Sequence, residues 1–153
     1  MVRTLKKLRS NVFFQEVTSQ PRDVRELYDL LAERTSVENI SHTKMPTFEE
    51  HQRFVWNKPY LRWYFITTDM DGRVGTCYIT REDNFKQHYI GIAIYKRSRQ
   101  HGYGEAAVKL LLKECKELNI NPVANINPAN LKSIKLFKKL GFKELQISLK
   151  KEL

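Results

Sequence analysis

The sequence predicts a mixed α/β fold with the element order β-α-α-β-β-β-α-β-α-β. Three observations carry this. Two strand-like runs flank an Asp-Gly turn in mid-chain. The C-terminal half alternates amphipathic helical patterns with short apolar runs. A basic, glycine-containing loop joins a strand directly to the strongest helical pattern.

The elements follow in order. Residues 12–17 are apolar enough for a first strand. Pro21 and Asp23 open a helix that runs to about Glu33, with Val24, Leu27, Leu30 and Leu31 on one face. After a polar loop, Thr47 is a suitable N-cap, and Glu50 three residues on completes a capping box for a helix carrying Phe48, His51, Phe54 and Val55. Residues 61–68 are rich in aromatic and β-branched side chains and read as a strand. The turn Asp69-Met70-Asp71-Gly72 returns the chain as a strand over 74–80. A third strand of this meander spans 88–95. Residues 105–118 form a helix with Ala106, Ala107, Leu110, Leu111, Cys115 and Leu118 apolar. A short strand over 122–126 follows, then a helix over 130–140 stopped by Gly141, then a last strand over 142–149.

Composition narrows the function classes. With 153 residues, 41% hydrophobic and 29% charged, the chain suits one globular domain rather than a disordered segment. No apolar run approaches the roughly 20 residues of a membrane span, and the basic N-terminus lacks a signal-peptide core, so the expected location is cytoplasmic. Cys77 and Cys115 form no close pair of the zinc-binding kind and are expected to be buried thiols. No metal is expected. The net charge of +10 fits a solvated basic surface or an anionic partner. Because that charge is spread along the chain, it argues against nucleic acid.

The chemistry concentrates between Ile90 and Gly104. An apolar strand runs into Lys96-Arg97-Ser98-Arg99-Gln100-His101-Gly102-Tyr103-Gly104, and a helix begins at once. The first amides of a helix lack internal partners and carry the positive end of its dipole. Glycines let a ligand approach that backbone, so the junction can cradle a pyrophosphate, although a plain turn would use the same glycines. A P-loop would need Lys-Ser/Thr after its last glycine, where this chain has Glu105-Ala106. Gly102-x-Gly104-x-x-Ala107 meets the looser dinucleotide fingerprint. It lacks the acidic residue expected some 20 positions on, since 119–131 contains no Asp or Glu, and an antiparallel meander precedes it.

Arg99-x-x-Gly102-x-Gly104 resembles the Arg/Gln-x-x-Gly-x-Gly/Ala signature of the GNAT superfamily of N-acetyltransferases. Residues 130–142, Asn-Leu-Lys-Ser-Ile-Lys-Leu-Phe-Lys-Lys-Leu-Gly-Phe, are similar to that family's Asn-x-x-Ser/Ala-x-x-Leu-Tyr-x-Lys-Leu-Gly-Phe segment. The likeness covers about residues 61–142, and more loosely the whole chain as a single acetyltransferase domain over 1–153. It implies the acyl-CoA N-acyltransferase fold and transfer of acetyl from acetyl-CoA to a primary amine.

The resemblance also assigns roles. The backbone of Arg99, Gln100, His101, Gly102, Tyr103 and Gly104 would hold the pyrophosphate of coenzyme A. The strand edge at Ile92, Ala93 and Ile94 would pair with the pantetheine arm, and Asn130 and Ser133 would meet it from the other side, with simple helix capping the lesser alternative for those two. The family commonly has a tyrosine as proton donor to the leaving thiolate where this chain has Phe137, whose ring would pack along the arm. Tyr103, Tyr95 or water would then substitute, or the thiolate would leave unassisted. Asn125 stands where some members carry a glutamate. An attacking alkylamine must lose a proton, and the candidate bases are His88, Glu82, His42 and His51, with Tyr78 a further polar candidate.

The segment 42–54 lies where the family builds its acceptor pocket. It is loosely similar to enzymes acting on nucleotide-linked amino sugars, which a basic, aromatic-rich protein would suit. A protein or peptide N-terminus is the alternative acceptor, and a non-catalytic coenzyme A-binding module the alternative class. A monomer and a homodimer are equally compatible with the sequence.

Overall fold

The computed structural model describes residues 10–35, 38 and 44–153. Its elements are β1 (Val12–Glu16), α1 (Pro21–Ala32), α2 (Phe48–Trp56), β2 (Tyr60–Thr68), β3 (Gly72–Thr80), β4 (His88–Ile94), α3 (Tyr103–Glu117), β5 (Pro122–Val123) and α4 (Leu131–Lys139). The strands form one sheet in chain order, antiparallel except for the parallel pair β4–β5. The mixed α/β fold and all but the last expected element are present.

Side-chain alternation on β2 divides the core. Ile66 faces α3 in a cluster with Val74, Cys77, Ile79, Ile90, Tyr103, Ala107, Val108, Leu111, Cys115 and Phe137. Its neighbour Phe65 points the other way, onto Val24 and Leu27 of α1 and Val55 of α2. Both cysteines are buried free thiols, and burial pushes Cys115 up to about 11. The capping box that starts α2 is formed as the sequence predicts, with Glu50 N–H donating to Thr47 Oγ1 at 3.2 Å. Among the described residues no helix is long and apolar enough to cross a membrane.

Two expectations fail at the C-terminal end. The strand over 122–126 shrinks to Pro122–Val123, and residues 142–149 have no regular structure. The two failures are linked. An edge strand needs a partner ladder for its backbone groups, and a two-residue β5 offers almost none. Leu145, Ile147 and Leu149 keep the period-two apolar pattern that suggested a strand, but are 62%, 79% and 93% exposed.

Arg73 ties the sheet to α1. Its Nη1 donates to Asp23 at 2.7 Å and to Glu26 at 2.8 Å, and its guanidinium lies 3.9 Å from the Phe65 ring centre. Burial alone would raise the Asp23 pKa, but hydrogen bonds from Thr18 and the Arg73 charge outweigh it and hold it below the ordinary 3.8. Glu26 is likewise held below 4.5, against burial, chiefly by Arg73. A carboxylate with a depressed folded pKa contributes stability that is complete above its unfolded pKa and is lost as pH falls through the folded one. The melting temperature should therefore be steady above about pH 5 and decline below it. Arg73→Ala should lower stability by about 2 kcal/mol at neutral pH and flatten the acid decline, because Asp23, left with its Thr18 bonds alone, and Glu26 then gain less from ionisation. Calorimetric scans of both proteins from neutral to acid pH check this, and a parallel decline in the two would refute it.

Candidate active site

The site begins where β4 and β5 part. They pair only at His88↔Pro122 and Tyr89↔Val123. Beyond that point the edge of β4 facing β5 has no ladder partner among the described residues, while its other edge stays paired to β3 through Ile94↔Gly75. A cavity of about 790 Å³ opens here. One wall is β4 at Ile90, Gly91, Ile92 and Ala93, and the opposite wall is Ala124, Asn125, Ile126, Asn127, Asn130, Ser133 and Phe137. An extended chain entering this gap would find a free strand edge to pair with.

At the C-terminal end of β4 the chain makes a tight basic loop. Gln100 and Gly102 take positive φ of 69° and 79°, which turns the backbone into α3. Gly102 is the N-cap of α3, so no side chain caps the first-turn amides. Those amides and the helix dipole could receive an anion at the end of the β4 edge. A Cβ on Gly104 would lie 3.8 Å from Ile92 Cδ1, 3.8 Å from Leu136 Cδ2 and 3.9 Å from Ile94 Cγ1, so the glycine keeps open the seam between β4 and α4. The Arg99 guanidinium donates through Nε to the Ile94 carbonyl (3.1 Å) and pairs with Glu38 (3.1 Å). It braces the loop against the end of the strand.

The other half of the cavity lies against α1 and α2. Tyr60 and Tyr78 stack with centroids 4.0 Å apart and planes at 3°. Trp63 sits edge-on to Tyr60 at 4.8 Å, fixed by a hydrogen bond from its Nε1 to Thr76 Oγ1 at 2.9 Å. Phe54 meets both rings edge-on. Arg34, Lys44, Glu38 and Glu50 supply the charged groups along this half.

The structure separates the candidate bases. His51 borders the cavity; it is only 5% exposed, and its Nε2 has no hydrogen-bond partner among the described residues. Burial lowers its pKa, partly offset by the Val24 backbone, so the ring is neutral at physiological pH. His88 Nδ1 is engaged with the Thr80 carbonyl at 2.9 Å, and Glu82 is an exposed loop residue. Neither lines the cavity. His42 lies outside the described residues.

Among the residues expected to hold cofactor, Ile92, Ala93, Asn130, Ser133 and Phe137 line the cavity, whereas Ile94 and the 99–104 loop continue its β4 wall beyond it. Asn130 also caps α4 by accepting from the Ser133 amide at 3.3 Å. Phe137 is 4% exposed and packs edge-on against Phe142, so its ring belongs to the core as well as to the cavity wall. The Tyr103 hydroxyl donates to Asp71, and that of Tyr95 to the Glu26 carbonyl at 2.8 Å. Both tyrosines are committed to the scaffold.

A family model for the acetyltransferase (GNAT) domain matches residues 11–143. The chain belongs to the GNAT acetyltransferases. It is 28% identical to an N-alpha-acetyltransferase of Sulfurisphaera tokodaii, across 76% of this chain and 80% of that protein. Its fold matches a domain from Methanocaldococcus jannaschii with a TM-score of 0.74, at 22% identity and over 91% and 92% of the two chains. It also matches a predicted acetyltransferase of Clostridium acetobutylicum, solved with acetyl-CoA, with a TM-score of 0.67, at 17% identity and over 93% and 96% of the chains.

GNAT enzymes use acetyl-CoA, and this chain is an acetyl-CoA-dependent acetyltransferase. The residues fit that co-substrate. A helix N-terminus without a side-chain cap, a glycine seam and a bare strand edge lie in line. Sequence reasoning missed Tyr60 and Trp63, which line the half of the cavity against α1 and α2. Their signal was present in the aromatic-rich run of β2, but only the pairing Trp63↔Tyr78 across β3 shows that they converge.

Proposed function

We propose that the chain acetylates the α-amino group of a peptide or protein N-terminus. The observation that carries this is the make-up of the acceptor half of the cavity: an aromatic cluster, with two cations, Arg34 and Lys44, balanced by two acids, Glu38 and Glu50. A balanced charge suits a single amine on an uncharged body. A nucleotide diphosphate, by contrast, would need a surplus of cations to replace its hydration. The N-alpha-acetyltransferase relative supports the same reading. Stacked Tyr60 and Tyr78 beside Arg34 favour the second reading, a nucleotide-linked amino sugar, whose base would stack on them.

Within this proposal the 99–104 backbone holds the pyrophosphate, the edge of Ile92, Ala93 and Ile94 pairs with the arm, and Asn130 and Ser133 close over it. His51, neutral and partnerless at Nε2, takes the amine proton directly or through water. The sequence offered His88, Glu82 and His42 for the same task, and His51 is preferred because it borders the cavity.

The test is thiol release from acetyl-CoA with four acceptors: uncharged-residue peptides, their N-terminally blocked forms, a nucleotide-linked amino sugar and a polyamine. Mass spectrometry then locates the added acetyl group. Turnover with free peptides, lost on blocking, is expected. Turnover with the sugar nucleotide alone would replace this reading with the second one.

A further inference from the structure

With a phenylalanine at 137, the family's usual source of a proton for the departing thiolate is missing, and Tyr95 and Tyr103 have their hydroxyls engaged elsewhere. A different phenol lies at the cleft. Tyr78 of β3 pairs directly with Gly91 of β4. Its ring lies flat across that glycine, so that a Cβ built on Gly91 would sit 2.2 Å from Tyr78 Cζ and 2.3 Å from its hydroxyl oxygen. No other residue could occupy position 91 without evicting the ring. The phenol therefore rests on the β4 backbone two residues beyond Tyr89, the last pair of the β4–β5 ladder. That is where the gap begins.

The path of the arm brings the thioester to the same place. The anion site is at the C-terminal end of β4, and an arm pairing with Ile94 and then Ile92 advances toward Gly91. This step rests on the acetyltransferase reading above. We infer that Tyr78 is a catalytic residue that donates its hydroxyl proton to the sulfur of coenzyme A as the acetyl group leaves. The amine nitrogen forms its bond to the thioester carbon and the C–S bond breaks. The bonding pair goes to sulfur, and the Tyr78 proton follows it to give the free thiol. The proton lost by the amine passes to His51 or water, and water returns one to Tyr78. The sum is amide, thiol and one proton released from the ammonium form of the acceptor.

The setting keeps Tyr78 loaded for this task. Burial raises its pKa, opposed by Arg34 and by a hydrogen bond with Tyr60, so it is protonated at neutral pH. The parallel stack with Tyr60 fixes the plane of the ring.

The test compares Tyr78→Phe with wild type on two donors, acetyl-CoA and its selenoester analogue, whose more acidic selenol leaves without help. With acetyl-CoA, kcat should fall about 100-fold, with KM for the donor within about 2-fold. With the selenoester the gap should nearly close. The ratio between donors is read on one sample, so it survives partial unfolding of the variant. An equal deficit on both donors, or full activity of Tyr78→Phe on acetyl-CoA, would overturn the proposal. Wild-type protein that releases no thiol with any amine would instead sink the acetyltransferase reading, and the Tyr78 role with it.

Discussion

Gly104→Val is expected to abolish acetyl-CoA binding, while Gly104→Ala keeps it and raises the melting temperature. Gly104 is the second residue of α3 and has ordinary helical φ, so a side chain there meets no backbone strain. The surrounding contacts of 3.8–3.9 Å admit one methyl group. Alanine then gains helix propensity, up to about 1 kcal/mol. Valine adds two branches that have nowhere to go but the seam between β4 and α4, at the N-terminus of the helix proposed to hold the pyrophosphate. An affinity loss of at least about 100-fold, near 2.8 kcal/mol, is expected. Thermal shift with and without acetyl-CoA reads both effects, since a ligand that binds only the native state raises its melting temperature. Normal binding by a folded Gly104→Val protein would mean the anion site is elsewhere.

Gly75→Ala should be the most damaging small substitution in the sheet. A Cβ there would lie 2.2 Å from the Ala93 carbonyl oxygen and 3.0 Å from Ile94 Cα, both backbone atoms that cannot rotate away. The close approach follows from an irregularity in β3. Ile66 pairs with Gly75 and Thr67 with Arg73, leaving Val74 as an extra residue that bends the strand toward β4. Relief requires β3 and β4 to separate at the end of the ladder. About 3 kcal/mol of lost stability is expected, a fall of roughly 6–12 °C in melting temperature. Gly72→Ala is the control. Its Cβ would meet nothing within 4 Å, so only the strain of φ +66° is added, about 1 kcal/mol. Equal melting temperatures for the two variants would contradict the packing at Gly75.

Much of this was legible in the sequence because local chemistry set it. The Thr47–Glu50 box starts α2, Asp-Gly turns β2 into β3, and the Gly102-x-Gly104 loop leads straight into α3. The failures lie where local pattern and tertiary partnership part company. Residues 142–149 alternate like a strand but have no edge to join. Residues 122–126 are apolar enough for a strand, but peel off after Val123 to wall the cavity. The loop and the α4 residues expected to hold cofactor were marked by motif spacing, and of those Asn130, Ser133 and Phe137 line the cavity. The aromatic half of the cavity was not, because Tyr60, Trp63 and Tyr78 are separated by the β2–β3 turn and meet only across the ladder. Similarly, His51 looked like one histidine among several until α2 packed it beside the cavity.

The brevity of the β4–β5 pairing has a kinetic side. Among the described residues the backbone ladder between the wall carrying Asn130 and Ser133 and the sheet is two residue pairs long, whereas β3 pairs with β4 along five, so the wall is held mainly by Phe137 and its neighbours in the core. Fraying of the β5 segment alone, with α4 left in place, therefore costs less than global unfolding. Amide hydrogens of 123–126 should exchange with solvent quickly in the free protein and slow down once an arm bridges the gap, while those on the β3-facing side of β4 stay protected throughout. On the proposed cofactor path, fraying of this segment would widen the exit while Phe137 and the core stay in place.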